Sequence, residues 1–477
     1  MIGSHYLRGL LRAVGVDRPV AYTIAARVWA AVAGPVTLFF VVRYLTSQEQ
    51  GFYYTFGSIL GLQVFFEIGL ASVVGLSASH ERAKLDWSNE GTLEGDPLAK
   101  ARLASIFKTG SRWYLAISAI FVAIVLPFGL LFFAKHQPTE LQVSWRGPWL
   151  SVVVVQAANL AITPLLALLE GCGLVGEVAL VHIWRTIIGS VLSWALLLLH
   201  WKLFVAPVFN CVSLLCTLTW IALYKRAFLL NLLRTKTIEG ALEWSKEVWP
   251  FQWKMALSSI SGYFIFLCFN PVLFAYHGAA AAGQMGMTLS IMGTLSATAS
   301  AWIATKAAPF GTLVARRQFG TLDRMFFLAL RQSTILITLG GIAFWAAAYF
   351  LRLVKHPIGE RLLSPVPLAL LVATAVISHV VTAEAVYLRS YKREPFLLIS
   401  ILIAGLTAGS TYLLGVPFGA TGMMAGYSVI YLVVGLGGGT WIFHHRRKLW
   451  TKSLEDPDLP PTGLVTPAPL ASPLDRD

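Results

Sequence analysis

A few ionisable side chains stand inside otherwise apolar stretches of the sequence, and these residues could bind a charged partner. Three are cations, Arg27, Arg185 and Lys254, and two are anions, Glu67 and Glu384. A charged group at the centre of a membrane-spanning helix costs about 2.5–3.5 kcal/mol, so such residues tend to face a protein interior or a water-filled cavity. The cations therefore predict a site for an anion, and the carboxylates predict coupling to a small cation.

The sequence leaves alternatives open for these charges. Arg27 and Lys254 stand at comparable depths near the starts of two apolar stretches, so they either reach the inner interface or face each other across a cavity. Arg185 follows His182 by three residues, which puts both on one helical face and favours a polar surface. Glu384 stands near a predicted helix end, where a loop-facing role is as reasonable as ion coupling.

Uncharged polar residues form two stripes near these charges. Gln63 precedes Glu67 by four residues and shares its helical face. In another apolar stretch, Gln156, Asn159 and Thr163 recur at helical spacing. Such stripes either hydrogen-bond neighbouring helices together or line a cavity, and the sequence leaves both open.

Membrane-spanning helices must position all of these residues. Of 477 residues, 56% are hydrophobic and 13% are charged, which is about half the charged fraction of a soluble domain. Twelve apolar stretches, most of them at least 20 residues long, can each cross a bilayer. The predicted spans are Val20–Leu45, Phe52–Ala78, Trp113–Ala134, Pro148–Leu169, Val178–Leu199, Phe204–Tyr224, Phe251–Tyr276, Ala281–Thr305, Leu328–Leu351, Pro365–Leu388, Pro395–Leu414 and Ala420–Phe443.

The loops between the spans indicate how the chain is oriented. Twelve spans put both termini on one side, and the segments on that side carry 26 of the Lys and Arg residues, against 7 in the opposite loops. Because basic loops stay in the cytoplasm, both termini are predicted to be cytoplasmic. The net charge of +14 is explained by these loops, so we expect no nucleic-acid partner.

The chain divides into two halves of six spans each. A shift of 232 residues aligns residues 51–61 with 283–293, where two glycines, a serine and an isoleucine match. Both segments open the second span of a half, so an axis along the membrane normal would relate the halves. The predicted units are an N-terminal half, a cytoplasmic connecting segment, a C-terminal half and a disordered cytoplasmic tail, over residues 1–224, 225–250, 251–445 and 446–477.

The sequence contains none of the motifs that would indicate an enzyme. It has no Walker A motif, no His-Glu-x-x-His, no Cys/His cluster at metal-ligand spacing and no nucleophile elbow. We therefore expect neither an enzyme nor a cofactor or metal.

Short motifs carry a resemblance to a known superfamily. They are Arg27 with Gly34-Pro35, the segment 43–54 that ends in Gly51-Phe-Tyr-Tyr, the run Phe66-Glu67-Ile68-Gly69-Leu70, and the segment 247–254 that ends in Lys254. With these motifs the chain resembles the multidrug/oligosaccharidyl-lipid/polysaccharide exporter superfamily, and within it the flippases of polysaccharide biosynthesis.

The resemblance implies an all-α membrane protein with about twelve helices in two halves around a central cavity. It implies a flippase or exporter, working by alternating access, for a polyprenyl-linked oligosaccharide or another polysaccharide precursor in the bacterial inner membrane. Arg27, Arg185 and Lys254 would bind the anionic head group of this lipid-linked glycan. Glu67 and Glu384 would couple transport to a proton or a sodium ion, and membrane lipids would be the other partners.

Two other functions stay open at this point. One is secondary export of small molecules, as by the multidrug exporters of the superfamily, and the other is a non-transporting scaffold in a polysaccharide assembly complex. Multidrug exporters often carry an acidic residue in the first span, where this chain has only Arg27. The lipid II flippases generally have fourteen spans rather than twelve.

Overall fold

The protein is a bundle of long helices, and 88% of the structure is helical. The computed structural model describes residues 18–67, 69–88, 91–137, 143–236, 249–391 and 393–455. Within these residues, seven helical stretches are long and apolar enough to cross a membrane, and a bent pair, Ser47–Glu67 with Leu70–Arg82, makes eight. The longest stretch has 56 residues, and a straight helix of that length would measure roughly 84 Å, far more than the ~30 Å of a bilayer core.

Glycines divide the three longest stretches into two spans each. Gly173, Gly278 and Gly419 have φ values of 91°, 83° and 59°, in the left-handed region that glycine adopts without strain. With these divisions, the bent pair and the first helix, the described residues form twelve spans. This is the number that hydropathy predicts, and the all-α membrane architecture is confirmed.

The spans have the following bounds. In the N-terminal half, span 1 is Arg18–Tyr44, span 2 joins Ser47–Leu60, Gln63–Glu67 and Leu70–Arg82, span 3 is Pro97–His136, span 4 is Arg146–Leu169, span 5 is Val175–Leu198, and span 6 joins Val205–Trp220, Ile221–Lys225 and Arg226–Arg234. In the C-terminal half, span 7 joins Trp249–Phe266 to 269–277, span 8 joins 279–304 to Ala307–Ala315, span 9 is Phe319–Leu353, span 10 is Pro365–Arg389, span 11 is 397–418, and span 12 is 420–455.

The two ends of the bundle differ in their connections. We call the end at which span 1 begins and span 12 ends the inner end, and the opposite end the outer end. At the inner end, strands β1 (Leu85–Trp87) and β2 (Leu93–Gly95) form an antiparallel hairpin between spans 2 and 3. This hairpin is an addition to the all-helical prediction. At the outer end, short helices Lys202–Phe204 and Pro357–Glu360 connect spans 5 and 6 and spans 9 and 10.

The two halves pack in the same way. In the N-terminal half, span 1 packs against span 5, span 2 against spans 3 and 4, span 3 against span 4, and span 4 against span 6. In the C-terminal half, span 7 packs against span 11, span 8 against spans 9 and 10, span 9 against span 10, and span 10 against span 12. Each pair in one half has its counterpart six spans later, and the predicted boundaries of the two halves stay a prediction.

Large apolar side chains cover the outside of the bundle. Leu131, Leu223, Leu339 and Leu413 are between 63% and 73% exposed. Exposing so much leucine surface to water would be unfavourable, whereas exposing it to lipid tails is not. The surface is therefore that of a protein embedded in a bilayer.

Two predicted boundaries fall inside helices. Span 6 continues past residue 224 to Arg234 because Phe228 and Leu232 are buried on one face of its last turns. Span 12 continues into the segment predicted to be a disordered tail, because Trp450 packs on Tyr391 with ring centroids 5.5 Å apart. The rest of that tail, the middle of the predicted connecting segment and the first residues of the chain lie outside the described residues, at 456–477, 237–248 and 1–17.

Candidate functional site

A cavity of about 480 Å³ lies between the two halves, and we call it the central cavity. Spans 1, 2 and 5 line it from the N-terminal half, and span 8 lines it from the C-terminal half. Its polar surface consists of the hydroxyl groups of Thr37, Tyr53, Tyr54, Thr186, Ser190, Ser290, Thr294 and Thr298. The remaining lining is small or apolar, and none of the described residues that line the cavity carries a charge.

Helical spacing places these hydroxyl groups in stripes. Span 8 carries Ser290, Thr294 and Thr298 at intervals of four residues, and span 5 carries Thr186 and Ser190 at the same interval. The Thr294 hydroxyl donates to the Ser290 carbonyl at 3.0 Å, and the other four likewise donate to the carbonyl four residues earlier. Because the hydroxyl protons are held by the helices, the oxygens offer lone pairs to the cavity as hydrogen-bond acceptors.

Side-chain contacts hold the walls of the cavity. The Tyr54 side chain packs against Gly286, which links span 2 to span 8. The Trp194 ring nitrogen donates to the Thr37 hydroxyl at 2.9 Å, which links span 5 to span 1. Spans 1 and 8 thus face each other across the cavity, and each is held by a different neighbour.

The cavity is closed at the outer end, where spans 2 and 8 approach most closely. A Cβ atom added to Gly51 would lie 1.9 Å from the Ala279 carbonyl oxygen, and one added to Gly283 would lie 2.9 Å from the Gly51 nitrogen. Gly51 and Gly283 are the first residues of the two segments that align with a shift of 232 residues. The internal repeat therefore brings its own equivalent positions into contact between the halves.

Polar side chains complete this contact. Gln50 is 1% exposed, and its Nε2 donates to the Gly283 carbonyl at 2.9 Å. Arg361 donates through Nη1 to Gln50 Oε1 at 3.2 Å and through Nη2 to the Leu45 carbonyl at 2.8 Å. Burial lowers the pKa of the Arg361 guanidinium, which nevertheless stays charged at neutral pH. We call Gln50, Gly51, Gly283 and Arg361 the outer gate.

Aromatic rings extend the closure around the outer gate. The Phe274 ring, from the C-terminal half, lies 4.9 Å from Phe52 and 5.2 Å from Phe133 of the N-terminal half. Ser290, the first hydroxyl of the cavity in span 8, follows Gly283 by seven residues, or roughly 10 Å along the helix. The cavity therefore begins near the middle of the bundle, beneath a closed outer end.

The predicted polar stripes hold helices together. Gln156 donates through Nε2 to the Gln63 side chain, and Asn210 donates to Gln156 Oε1 at 2.9 Å. Asn159 in turn donates to the Asn210 carbonyl at 2.8 Å. These bonds join spans 2, 4 and 6, so interhelical hydrogen bonding is the alternative that the structure supports.

The two predicted ion-coupling carboxylates are both paired with hydroxyl groups. Glu67 accepts a hydrogen bond from the Tyr114 hydroxyl at 3.3 Å within the N-terminal half. Glu384 is 4% exposed and accepts one from the Thr440 hydroxyl at 3.3 Å, so it does not face a loop. Neither is among the described residues that line the central cavity. Their role in ion coupling stays a prediction.

Arg185 lies beside the wall of the central cavity rather than in it. It lies near the Glu170 carboxylate, in the turn between spans 4 and 5, and near the Cys216 thiol of span 6. The face of span 5 that lines the cavity instead carries Thr186 and Ser190. A half-buried arginine beside a carboxylate is already compensated in part, and its role in substrate binding stays a prediction.

For the other two predicted cations, the structure describes only the helices that carry them. Arg27 belongs to span 1, three residues before the cavity-lining Ala30, and Lys254 belongs to the first helix of span 7. The side chains of Arg27 and Lys254 lie outside the described residues, so anion binding by this pair stays a prediction.

Sequence reasoning missed the hydroxyl stripes and the outer gate. Ser290, Thr294 and Thr298 recur every four residues, a signal that the sequence does contain. The partnership of Gln50 with Arg361 has no local signal, because 311 residues separate them. Among the residues that the structure describes, no group of three His, Cys, Asp or Glu side chains could hold a metal ion.

The arrangement of the spans is similar to that of solved transporters. An inward-facing conformation of a multidrug resistance MATE family transporter of the MOP superfamily superposes with a TM-score of 0.57 at 16% identity, over 89% of this chain and 99% of that one. The chain has the MATE transporter fold. No protein-family model matches the sequence, and no curated protein matches it.

Two further solved structures are similar over most of the chain. An outward-facing conformation of a multidrug resistance MATE family transporter has a TM-score of 0.46 at 14% identity, over 92% of this chain and 97% of that one. A MOP superfamily transporter from Pyrococcus furiosus has a TM-score of 0.44 at 13% identity, also over 92% of this chain and 97% of that one. The likeness shows the fold, and both the superfamily and its polysaccharide branch stay predictions.

Proposed function

We propose that the protein moves a polyprenyl-linked oligosaccharide, or another polysaccharide precursor, across the bacterial inner membrane by alternating access. The observation that carries the proposal is the uncharged, hydroxyl-lined cavity between the two halves. A cationic substrate would need a carboxylate in such a low-dielectric site, and no described residue of the lining supplies one. A substrate rich in hydroxyl groups suits this lining better.

Sugar head groups match the chemistry of the cavity wall. The Ser290, Thr294 and Thr298 oxygens accept hydrogen bonds, and every sugar hydroxyl has a proton to donate. Tyr53 and Tyr54 add apolar ring surface beside these polar atoms. A volume of about 480 Å³ is within the usual range for small-molecule sites, so it suits a short head group.

The arrangement of spans 1 and 8 supports a substrate with a lipid tail. Both line the cavity, yet span 1 packs on span 5 and span 8 packs on span 2. A movement that separates spans 1 and 8 would leave these pairs intact and join the cavity to the lipid phase. The sugars would then occupy the cavity while the polyprenyl chain stays among the acyl chains.

Charged residues would serve the pyrophosphate of such a substrate. Arg27 and Lys254 belong to helices at the inner end of each half, and Arg185 lies beside the cavity wall. We assign these three cations to the anionic head group, because phosphate in a low-dielectric cavity needs fixed positive partners. Glu67 and Glu384 are assigned to ion coupling, and both termini to the cytoplasm.

The outer gate supports the alternating-access step. In the present conformation Gly51 and Gly283 are in contact and the cavity is closed at the outer end. Release to the outside requires this contact to open while the halves approach each other at the inner end. Opening would also break the hydrogen bond from Gln50 to the Gly283 carbonyl and separate the Phe274 and Phe52 rings.

Export of uncharged, amphiphilic small molecules is the second candidate. The size of the cavity favours it, because about 480 Å³ also accommodates a drug-sized molecule. The two candidates differ in one requirement: a glycolipid needs access to the cavity from the membrane, and a soluble molecule does not.

The test is a flipping assay in proteoliposomes with a fluorescent polyprenyl pyrophosphoryl oligosaccharide. The double variant Thr294→Val and Thr298→Val keeps the shape of span 8 but removes two acceptor oxygens. Two lost hydrogen bonds cost together about 1–3 kcal/mol, so flipping should fall by roughly 5- to 150-fold. The matched control is Thr305→Val, at the inner end of the same span.

Each outcome separates the candidates. Flipping that is lost in the double variant and kept in Thr305→Val supports the proposal. Wild-type protein that flips no glycolipid but exports an uncharged amphiphile supports the second candidate. Wild-type protein that moves neither supports a scaffold role in polysaccharide assembly.

A further inference from the structure

A second cavity, of about 240 Å³, lies within the C-terminal half. Spans 7, 8, 10 and 12 line it, and its polar lining consists of Ser296, Ser300, Ser378, His379, Thr382 and Tyr427. Span 8 is the wall between this cavity and the central one: its other hydroxyl stripe lines the central cavity. A change in the second cavity that moves span 8 therefore changes the substrate cavity as well.

His379 hydrogen-bonds to span 9 through one ring nitrogen. The residue is 4% exposed, and its Nε2 lies 2.7 Å from the Ser333 hydroxyl oxygen of span 9. We assign the proton of the neutral ring to Nε2, because the Ser333 hydroxyl also lies 3.2 Å from the Leu330 carbonyl, to which it can donate its own proton. Nδ1 then carries the free lone pair of the neutral ring.

The basic nitrogen of His379 is buried without a partner. Nδ1 has no hydrogen-bond partner among the described residues, although the ring lines a cavity that contains four aliphatic hydroxyl groups. Most buried polar atoms in proteins are hydrogen-bonded, so an unpartnered basic nitrogen needs an explanation. A site that takes up and releases a proton supplies one.

When His379 is protonated, the side chains around it supply no negative charge to balance its positive charge, within the described part of the chain. Spans 7 and 8 present apolar and hydroxyl side chains to the cavity, and span 12 presents Tyr427, with Tyr431 hydrogen-bonded to Ser378. Glu384, on the same span as His379, is instead hydrogen-bonded to span 12, and Arg331 of span 9 is exposed. In the described part of the chain, the acceptors available to a protonated Nδ1 are hydroxyl oxygens.

We propose that His379 takes up and releases one proton in each transport cycle, and that a proton gradient thereby drives the movement of span 8. This inference rests on the proposed transport function and names its coupling ion. A proton from water on one side binds the Nδ1 lone pair and forms the imidazolium. The same proton leaves to water on the other side, so no further reactant is needed.

The hydroxyl groups of span 8 connect the proton to the outer gate. Protonation turns Nδ1 from an acceptor into a donor, and Ser296 and Ser300 of span 8 provide acceptor oxygens in the same cavity. Span 8 also carries Gly283 of the outer gate and the hydroxyl stripe of the central cavity. Proton binding and the position of span 8 are therefore linked, and each must alter the other.

The test measures the distance between the two halves at the outer end as a function of pH. Nitroxide labels at Ser144→Cys and Lys355→Cys, in exposed outer loops of the two halves, report their separation by pulsed electron resonance in a cysteine-free background. His379→Gln keeps an amide donor for Ser333 but cannot take up a proton. His277→Gln, at the exposed outer end of span 7, is the matched control.

The expected result is a label separation that changes as the pH falls below about 6.5, the ordinary pKa of histidine, in the parent protein and in His277→Gln, and is constant in His379→Gln. In proteoliposomes, the rate of gradient-driven transport should be at least about tenfold lower in His379→Gln. Substrate exchange without a gradient should persist. Ser333→Ala, which keeps the ring, should retain the pH dependence with a displaced midpoint.

Two results overturn the inference: a pH dependence that survives in His379→Gln, or a parent protein whose outer end does not respond to pH. A pH response that depends on His379, in a protein that flips no glycolipid, supports the coupling site and rejects the proposed substrate. The failures of the two proposals are thus distinguishable.

Discussion

Adding a single methyl group at Gly51 perturbs the outer gate at its closest contact. The Cβ of Gly51→Ala would lie 1.9 Å from the Ala279 carbonyl oxygen, whereas ordinary van der Waals contact begins at 3.4 Å. Spans 2 and 8 must therefore separate by about 1.5 Å, the difference between these distances. Overpacking of this kind costs about 1–3 kcal/mol.

This cost applies only while the outer end is closed. The variant should therefore shift the equilibrium away from the closed conformation by a factor of roughly 5 to 150. The matched control is Gly57→Ala in the same span, because a Cβ there meets no atom within 4 Å. Both substitutions replace glycine by alanine within span 2, so their effects on helix propensity are similar.

The measurement is the separation of nitroxide labels at positions 144 and 355, together with the rate of glycolipid flipping. We expect a population with a wider outer end in Gly51→Ala and an unchanged distribution in Gly57→Ala. Identical distributions in both variants would refute the argument that the contact between Gly51 and Gly283 closes the outer end.

Two further substitutions test separate parts of the structure. Arg361→Ala removes the hydrogen bonds to Gln50 and to the Leu45 carbonyl, which together contribute about 1–2 kcal/mol. The population with an open outer end should therefore rise by roughly 5- to 30-fold. Equal thiol accessibility at outer positions in Arg361→Ala and in the exposed control Lys355→Ala would contradict this. Asn210→Ala removes the donor to Gln156 in the network of spans 2, 4 and 6, so it should destabilise the N-terminal half by about 0.6–2 kcal/mol. An unchanged thermal unfolding midpoint in detergent would show that this hydrogen bond contributes nothing to stability.

Hydropathy and charge predicted the spans because a bilayer imposes a strong length constraint. Span 8 shows how well this works: the predicted stretch Ala281–Thr305 matches the helix at 279–304 within two residues. The ends of spans 6 and 12 were set too early because amphipathic turns with buried aromatic residues, such as Trp450, lack a hydropathy signal.

The site residues were harder to predict because sequence places a residue on a helix face but does not show which helix that face meets. Arg185 was predicted to face a polar surface and to bind substrate, whereas its neighbours are Glu170 and Cys216 and it does not line the central cavity. In the sequence, His379 stands five residues before Glu384 and nothing local marks it as a site. Its interest comes from the fold, which pairs Nε2 with Ser333, 46 residues away, and leaves Nδ1 buried without a partner among the described residues.

The internal repeat had more structural meaning than its few matching residues indicated. Gly51 and Gly283 align in sequence and also touch in space, because equivalent positions of the two halves meet near the axis that relates them. A glycine is needed at both positions because the backbones of spans 2 and 8 come too close for a side chain.

The most direct measurement of the central claim is photo-crosslinking from span 8 to a polyprenyl-linked oligosaccharide. A photoreactive phenylalanine derivative replaces Leu295, which lines the central cavity, or Leu289, which lines the second cavity on the other face of the same helix. A glycolipid translocated through the central cavity should label position 295 and leave position 289 unlabelled. Equal labelling at both positions, or none at 295 in protein that flips the glycolipid, would contradict the assignment of the central cavity as its path.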